Sequence, residues 1–459
     1  MVIHPSSHVF EPFKYKSLAD LEIKLKELMI PLPISPNLEI LKDSIQIKDI
    51  TVANRLAIQP MEGFDAKLDG SPSELTFRRY TRYSKGGVGL IWFEATAISN
   101  DCRSNEHQLI LSEDSINEFK KLTTLIRTRC NKTLKTLGFK DPSVLILQLN
   151  HSGSYTKRDG KKFPIKTCHN DNLDQSTSMT HNERFIISDE ELKEIEELWI
   201  QKAILAREAG FDGVDIKACH GYLISDLLSA RNRRDSIFGG EDFDNRSRFY
   251  LNIITKLQNI FRKETDFMIT SRLGIYDGNP YPIGFGVKST ENEHFPATIE
   301  LSEPIKLINK LGKQGIKLIN ISAGDPHQQP HITRPYDMPV KGGIFPKEHP
   351  LFSVYRIIYL TSVVKNLIPK DIKIIGSGYS YLRQHAANLA SGVIENSMVD
   401  ICGFGRMSFA NPNFARQIFQ NGIIDKQKSC ISCSKCSQLM REGKNTGCVI
   451  RDLYYMGAA

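Results

Sequence analysis

The sequence predicts a (β/α)8 TIM barrel with a short N-terminal extension and a C-terminal cysteine-rich tail, on three observations. Eight apolar segments of strand length recur between residues 56 and 405, as continuous runs rather than strict alternations. That is the pattern of parallel strands buried on both faces. Segments of helical periodicity separate them, the βαβα rhythm of an α/β fold. The first strand ends in Gln59-Pro60-Met61-Glu62-Gly63, which lacks the glycine fingerprint that opens a doubly wound sheet.

Taken in order, residues 1–44 read as the extension. Ser17 to Leu28 suits one amphipathic helix, and the PLPISP stretch at 31–36 breaks it. The barrel is expected over 45–425, with strands at 56–61, 89–97, 144–150, 213–219, 267–274, 316–323, 372–376 and 398–405. The clearest helix starts at Ser188, which can cap, with Glu191 at the third helical position. Leu192, Ile195, Leu198, Trp199, Leu205 and Ala209 then share one face, and Gly210 ends the run. Further helices are expected at about 113–129, 244–263, 350–366 and 380–391. Residues 157–183 are polar and follow strand three, equally well a lid or a solvated loop, and His169 and His181 within them receive no role. Residues 426–459 form the cysteine-rich segment.

Lys and Arg number 60 against 52 Asp and Glu, a net charge of +8 with the two signs interspersed. So mild a balance, without a long basic block, argues against a nucleic-acid partner. At 40% hydrophobic and 24% charged the chain can bury a large core, which excludes wholesale disorder. No apolar stretch approaches the roughly 18 residues of a membrane span, and MVIHPSSHVF has no basic segment followed by an apolar run. The expectation is a soluble cytoplasmic protein. Cys102, Cys130, Cys168, Cys219 and Cys402 are scattered, which without an export signal reads as reduced core or site residues.

In a barrel the active site lies at the C-terminal strand ends. Those ends carry Pro60 and Met61, Glu94, Gln148 with His151, Lys217 with His220 and Tyr222, Arg272, then Ser322 to Gly324, Gly376-Ser377-Gly378 and Gly403-Phe404-Gly405-Arg406. The last two are phosphate candidates: glycines let the backbone approach closely, and Arg406 adds a fixed cation at the strands where barrels hold phosphate. Lys217, His220 and Tyr222 place three proton-bearing groups within six residues at the barrel mouth, which points to catalysis.

These residues resemble a known family. NRLAIQPM at 54–61, KACHGYL at 217–223, FGG at 238–240 with NRSRF at 245–249, SRL at 271–273, and GFGRM at 403–407 followed by Asn411-Pro412 occur in the motif order of the Old Yellow Enzyme / dienoyl-CoA reductase flavoproteins. The resemblance spans roughly residues 45–450. It implies FMN across the barrel mouth, with Pro60 and Met61 at the reactive edge, Gln148 at the pyrimidine and Arg272 at the N1 side. Glu94 is grouped with these cofactor-binding residues, and Gly376, Ser377, Gly378, Gly405 and Arg406 would hold the phosphate. It further implies NAD(P)H as donor, a small-molecule substrate with an electron-withdrawing group, and hydride transfer to an activated C=C bond with Tyr222 as proton donor. His220 matches one of the family's two substrate-binding residues. The other position, usually His, carries Lys217, which would donate to the acceptor oxygen; a Schiff-base role is the minor alternative.

Cys430, Cys433, Cys436 and Cys448 follow with spacings of two, two and eleven residues. Three thiols so close suit three corners of a [4Fe–4S] cube, whereas structural zinc more often takes two separated pairs. The resemblance agrees, since one branch of the family carries a cluster directly after the barrel. The larger members continue into FAD- and dinucleotide-binding domains that are not read in this sequence, so a separate redox protein is the alternative electron partner. Two other readings stay open: an FMN/iron–sulfur amine dehydrogenase or demethylase, and a flavin-free, zinc-tailed binding protein. The oligomeric state is left open.

Overall fold

The computed structural model describes residues 10–169, 186–289 and 297–457. Eight parallel strands close into a barrel: β1 (Leu56–Ile58), β2 (Leu90–Ala97), β3 (Val144–Asn150), β4 (Gly213–Ile216), β5 (Met268–Gly274), β6 (Leu318–Ser322), β7 (Lys373–Gly376) and β8 (Ile401–Phe404). Each strand pairs with its sequence neighbours, and β8 closes on β1 through Cys402 with Leu56 and Phe404 with Ile58. The strands are followed in turn by helices Glu74–Tyr83, Ile116–Thr136, Asp189–Glu208, Phe243–Ile260, Ser302–Lys313, Pro350–Leu367, Ala386–Glu395 and Phe414–Asn421. The fold is a (β/α)8 barrel.

Local chemistry sets the element limits. Ser188 accepts from the Glu191 amide while the Glu191 side chain accepts from Ser188, the expected capping box. The helix buries Leu192, Trp199, Ala203 and Ala206, and Gly210 ends it at φ +87°. Strand β1 is shorter than expected, because Gln59 donates the last ladder bond to Phe404 and Pro60 has no amide to continue it. The helix expected at 380–391 begins only at Ala386; residues Tyr379–His385 form a tighter 3₁₀ segment broken by Arg383 at φ +51°.

The interior is layered. An antiparallel hairpin, Ile45–Ile47 with Ile50–Val52, stoppers the N-terminal end, its Ile45, Ile47 and Val52 packing on Leu90, Val144, Met268, Leu318 and Ile401. Towards the C-terminal ends the packing becomes polar. Trp92 donates to Asp215 (2.7 Å), which also accepts from Gln148 (2.5 Å) and the Arg272 amide (2.5 Å).

The extension packs onto the barrel rather than standing off it. Ser17 caps helix Leu18–Glu27, and Phe13, Tyr15, Leu21 and Leu25 join the main core. Beyond β3, Lys157–Arg158 pairs with Lys161–Lys162 across a turn at Asp159-Gly160; residues 170–185, including His181, lie outside the described residues. The tail is fastened at several points. Asp452 pairs with Arg78 (2.6 Å) and Arg82, the Thr446 amide donates to Gly63 (2.6 Å), and the Asp337 amide donates to Ser432 (3.0 Å). Among the described residues no helix is long and apolar enough to cross a membrane.

Candidate active site

A cavity of about 410 Å³ opens where the strands end, within the size range of small-molecule sites. At one end β7 and β8 present Ser377, Gly378, Gly405 and Arg406 to it. Gly378 is left-handed at φ +104°, which only glycine adopts freely. Arg406 is 7% exposed, donates Nη2 to the Pro335 carbonyl (2.6 Å), and keeps a buried Nη1 without a partner. A buried guanidinium nitrogen without an acceptor costs free energy, and an anionic acceptor would relieve that cost most. Arg334, which no sequence motif marks, lines the same cavity and donates to Ser437 of the tail. Burial and the adjacent Arg406 hold Arg334 below its ordinary value.

Gln59 organises the middle of the cavity. Its Nε2 donates to Asn320 (3.0 Å) and Ser377 (3.0 Å), and its Oε1 accepts from Asn320 (2.7 Å) and from Arg272 Nη1. Arg272 is thereby aimed along the floor, with its Nε buried and unpaired. Pro60, Met61 and Gln148 line the cavity beside it. Burial pushes the Asp215 carboxyl beneath this layer up to about 6, against its three donors.

The far end brings together Lys217, His220 and Tyr222 with Glu62. Lys217 Nζ lies 4.0 Å from Glu62 and 3.8 Å from the ring centre of Tyr222. Burial lowers the Lys217 ammonium from its ordinary value, with Glu62 opposing, and raises the Glu62 carboxyl, with Lys217 opposing. His220 sits at φ +69°, so the loop after β4 turns back over the mouth, and its Nε2 meets Ser322 Oγ at 2.8 Å. Burial, with Arg272 and Lys217, holds His220 well below its ordinary value, so its ring is neutral at pH 7. Burial holds the Tyr222 phenol well above its ordinary value, so it keeps its proton. Tyr155 stacks on His327 (3.6 Å between centres) and stands edge-on to Tyr222 (5.9 Å), forming an aromatic wall.

Two expected residues lie elsewhere. Glu94 does not line the cavity; it accepts from Arg79 (2.6 Å), Tyr80 (3.2 Å) and the Gly63 amide (2.7 Å). Gly376 stands behind the wall, where its carbonyl accepts from Gln59 (3.3 Å) and an added Cβ would lie 2.4 Å from the Tyr379 hydroxyl. Both support the cavity from outside. Glu62 and Arg334 line it from within, and no motif named them.

Cys430, Cys433, Cys436 and Cys448 are all free thiols and line one small cavity of about 20 Å³, to which Arg406 also contributes. Ser432 and Ser434, at φ +54° and +55°, turn the backbone between them, and the Ser432 amide approaches Cys430 Sγ at 3.4 Å. The donor set is thiol only. Among the described residues no three His, Cys, Asp or Glu side chains stand at metal-ligating separation.

The mouth thus joins Ser377, Gly378, Gly405 and Arg406 to Arg272 and to the three proton-bearing groups Lys217, His220 and Tyr222. The chain belongs to the NADH:flavin oxidoreductase / NADH oxidase family, whose model matches residues 41–292. It is therefore an oxidoreductase of the NAD(P)H-linked, FMN-dependent kind. It is 27% identical over 375 residues to an NADPH dehydrogenase of Clostridium acetobutylicum, covering 81% of this chain and 92% of that one. In fold it is similar to 2-naphthoyl-CoA reductase in complex with 2-naphthoyl-CoA (TM-score 0.67, 17% identity) and to histamine dehydrogenase from Rhizobium sp. 4-9 (TM-score 0.65, 16% identity). Each fold likeness covers 90% of this chain, but only 57% and 52% of those two longer chains.

Proposed function

We propose that the protein is an ene-reductase: it takes reducing equivalents from NAD(P)H and saturates a C=C bond activated by an electron-withdrawing group. The observation that carries this reading is the shared cavity, which joins Lys217, His220 and Tyr222 to Met61, Arg272 and Arg406. FMN, when bound, supplies the hydride chemistry. Ser377, Gly378, Gly405 and Arg406 would hold its phosphate, Pro60, Met61 and Gln148 its ring, and Arg272 would stabilise negative charge on the reduced ring.

The remaining chemistry belongs to the chain's own groups. Lys217 and His220 donate to the acceptor oxygen of the substrate and draw electron density from the alkene. Tyr222, protonated at neutral pH, gives its proton to the α-carbon as the β-carbon receives hydride, and recovers it from solvent. Hydride and proton together balance the reduction.

The same proposal extends to the tail: Cys430, Cys433, Cys436 and Cys448 would hold a [4Fe–4S] cluster, which would supply one-electron transfer to or from a second redox partner. Iron and labile sulfide at about four each per chain in anaerobically purified protein support it, and zinc alone overturns it.

A second reading, an amine dehydrogenase passing electrons outward, draws on the thiol cavity and on the fold shared with histamine dehydrogenase. The cavity opposes it. Lys217, 3.8 Å from the ring centre of Tyr222, puts an ammonium of its own where an amine substrate would have to bind. One experiment decides. Anaerobic bleaching by NADPH or NADH, then reoxidation by an enone panel, supports ene reduction. Bleaching by amines alone supports the second reading, and colourless protein that refuses FMN overturns both.

A further inference from the structure

We infer that Arg334 is a second guanidinium for the flavin phosphate and that its hydrogen bond to Ser437 ties that phosphate to the cysteine tail. The inference rests on the FMN reading and extends it to the control of cofactor loading.

Arg334 and Pro335 embrace Arg406 from one segment. The Pro335 carbonyl takes Arg406 Nη2 (2.6 Å), Arg406 Nη1 stays buried without a partner, and the Arg334 side chain lines the same cavity. Ser377, Gly378 and Gly405 complete the Arg406 end, and no carboxylate stands among them. Two guanidiniums that line one cavity with no carboxylate beside them favour an anion between them. A phosphomonoester carries nearly two negative charges and several acceptor oxygens, so it satisfies both.

The second half follows from where Arg334 is attached. Its Nη1 donates to Ser437, on the tail helix Lys435–Arg441 that follows Cys433 and contains Cys436. Three residues on, the Asp337 amide donates to Ser432, between Cys430 and Cys433 (3.0 Å). Arg406 itself lines both the large cavity and the thiol cavity. A phosphate that fixes the two arginines therefore also fixes the tail, and by linkage a docked tail strengthens phosphate binding.

The test compares FMN with riboflavin, which lacks the phosphate. Deflavinated full-length wild type, Arg334→Gln, Arg334→Lys and Ser437→Ala are titrated with each flavin by fluorescence quenching, and hydrogen exchange is followed over residues 430–448 with and without FMN. Arg334→Gln is expected to weaken FMN by about 10- to 100-fold, the loss of one or two charge-assisted hydrogen bonds, while riboflavin stays within about twofold. Arg334→Lys should fall between. FMN should slow exchange in the wild-type tail and lose most of that effect in Ser437→Ala. Equal weakening of both flavins in Arg334→Gln, or tail exchange in wild type that ignores FMN, overturns the inference while leaving the functional reading intact. Wild type that binds neither flavin overturns both.

Discussion

At Lys217 an ammonium lies 4% exposed, with Glu62 on one side and the Tyr222 ring on the other. Replacing it with alanine should leave bound flavin unchanged and lower enone turnover by about 10²-fold or more, the scale of one oxyanion-stabilising donor. Flavin absorbance and steady-state rates measure the two, and unchanged turnover removes Lys217 from the mechanism. Tyr222→Phe should leave reduction by NADPH intact and slow reoxidation by enones about 10²- to 10⁴-fold, as loss of a general acid does; stopped-flow of the two half-reactions separates them. Lys217, His220 and Tyr222 were legible because they crowd into one heptapeptide at a strand end. Glu62 was not, since its partner lies 155 positions on and only barrel closure joins them. Arg334 was hidden likewise, its partner Ser437 being 103 positions away.

Among the elements, β2 explains why Glu94 was misplaced. Its register with β3 shifts between Phe93 and Thr96, and Glu94 stands in that irregularity. It turns to Arg79, which also holds Asp65 through two hydrogen bonds (3.1 and 2.8 Å). All three side chains are buried. Arg79→Met should cost about 3–5 kcal/mol, because two buried carboxylates lose a shared guanidinium; denaturant unfolding measures it, and a loss below about 1 kcal/mol would contradict the role. The barrel strands were readable from their continuous, mainly apolar runs, as expected of strands buried on both faces. Their ends were less so: β1 stops at a proline with no amide, and the helix expected from residue 380 waits for the left-handed Arg383. Such limits depend on single backbone bonds that periodicity does not encode.

Over the whole molecule, the tail that reads in sequence as a separate segment is held by the barrel's first helix through Asp452. Arg78 and Arg82 hold the Asp452 carboxyl below its ordinary value despite its burial. A carboxylate depressed in the folded state contributes its stability above the unfolded value near 4 and loses it as pH falls through the folded value. Tail docking should therefore be fully present at neutral pH and weaken below about pH 4. Hydrogen exchange over residues 445–457 against pH measures this, and Asp452→Asn should remove most of that pH dependence; an unchanged acid limb in the variant rejects the assignment.

Gly63 gives that attachment its reach. Its amide is held by Glu94, its carbonyl by Thr446, and the Arg79 guanidinium crowds in so closely that a methyl group would lie 2.3 Å from Nη2. One peptide unit is thus riveted to strand and tail alike, two positions beyond Met61. A displacement of Thr446 would thus reach the cavity wall at Glu62 and Met61 through a single peptide unit, and loss of the Thr446 bond would leave the Gly63 carbonyl unheld.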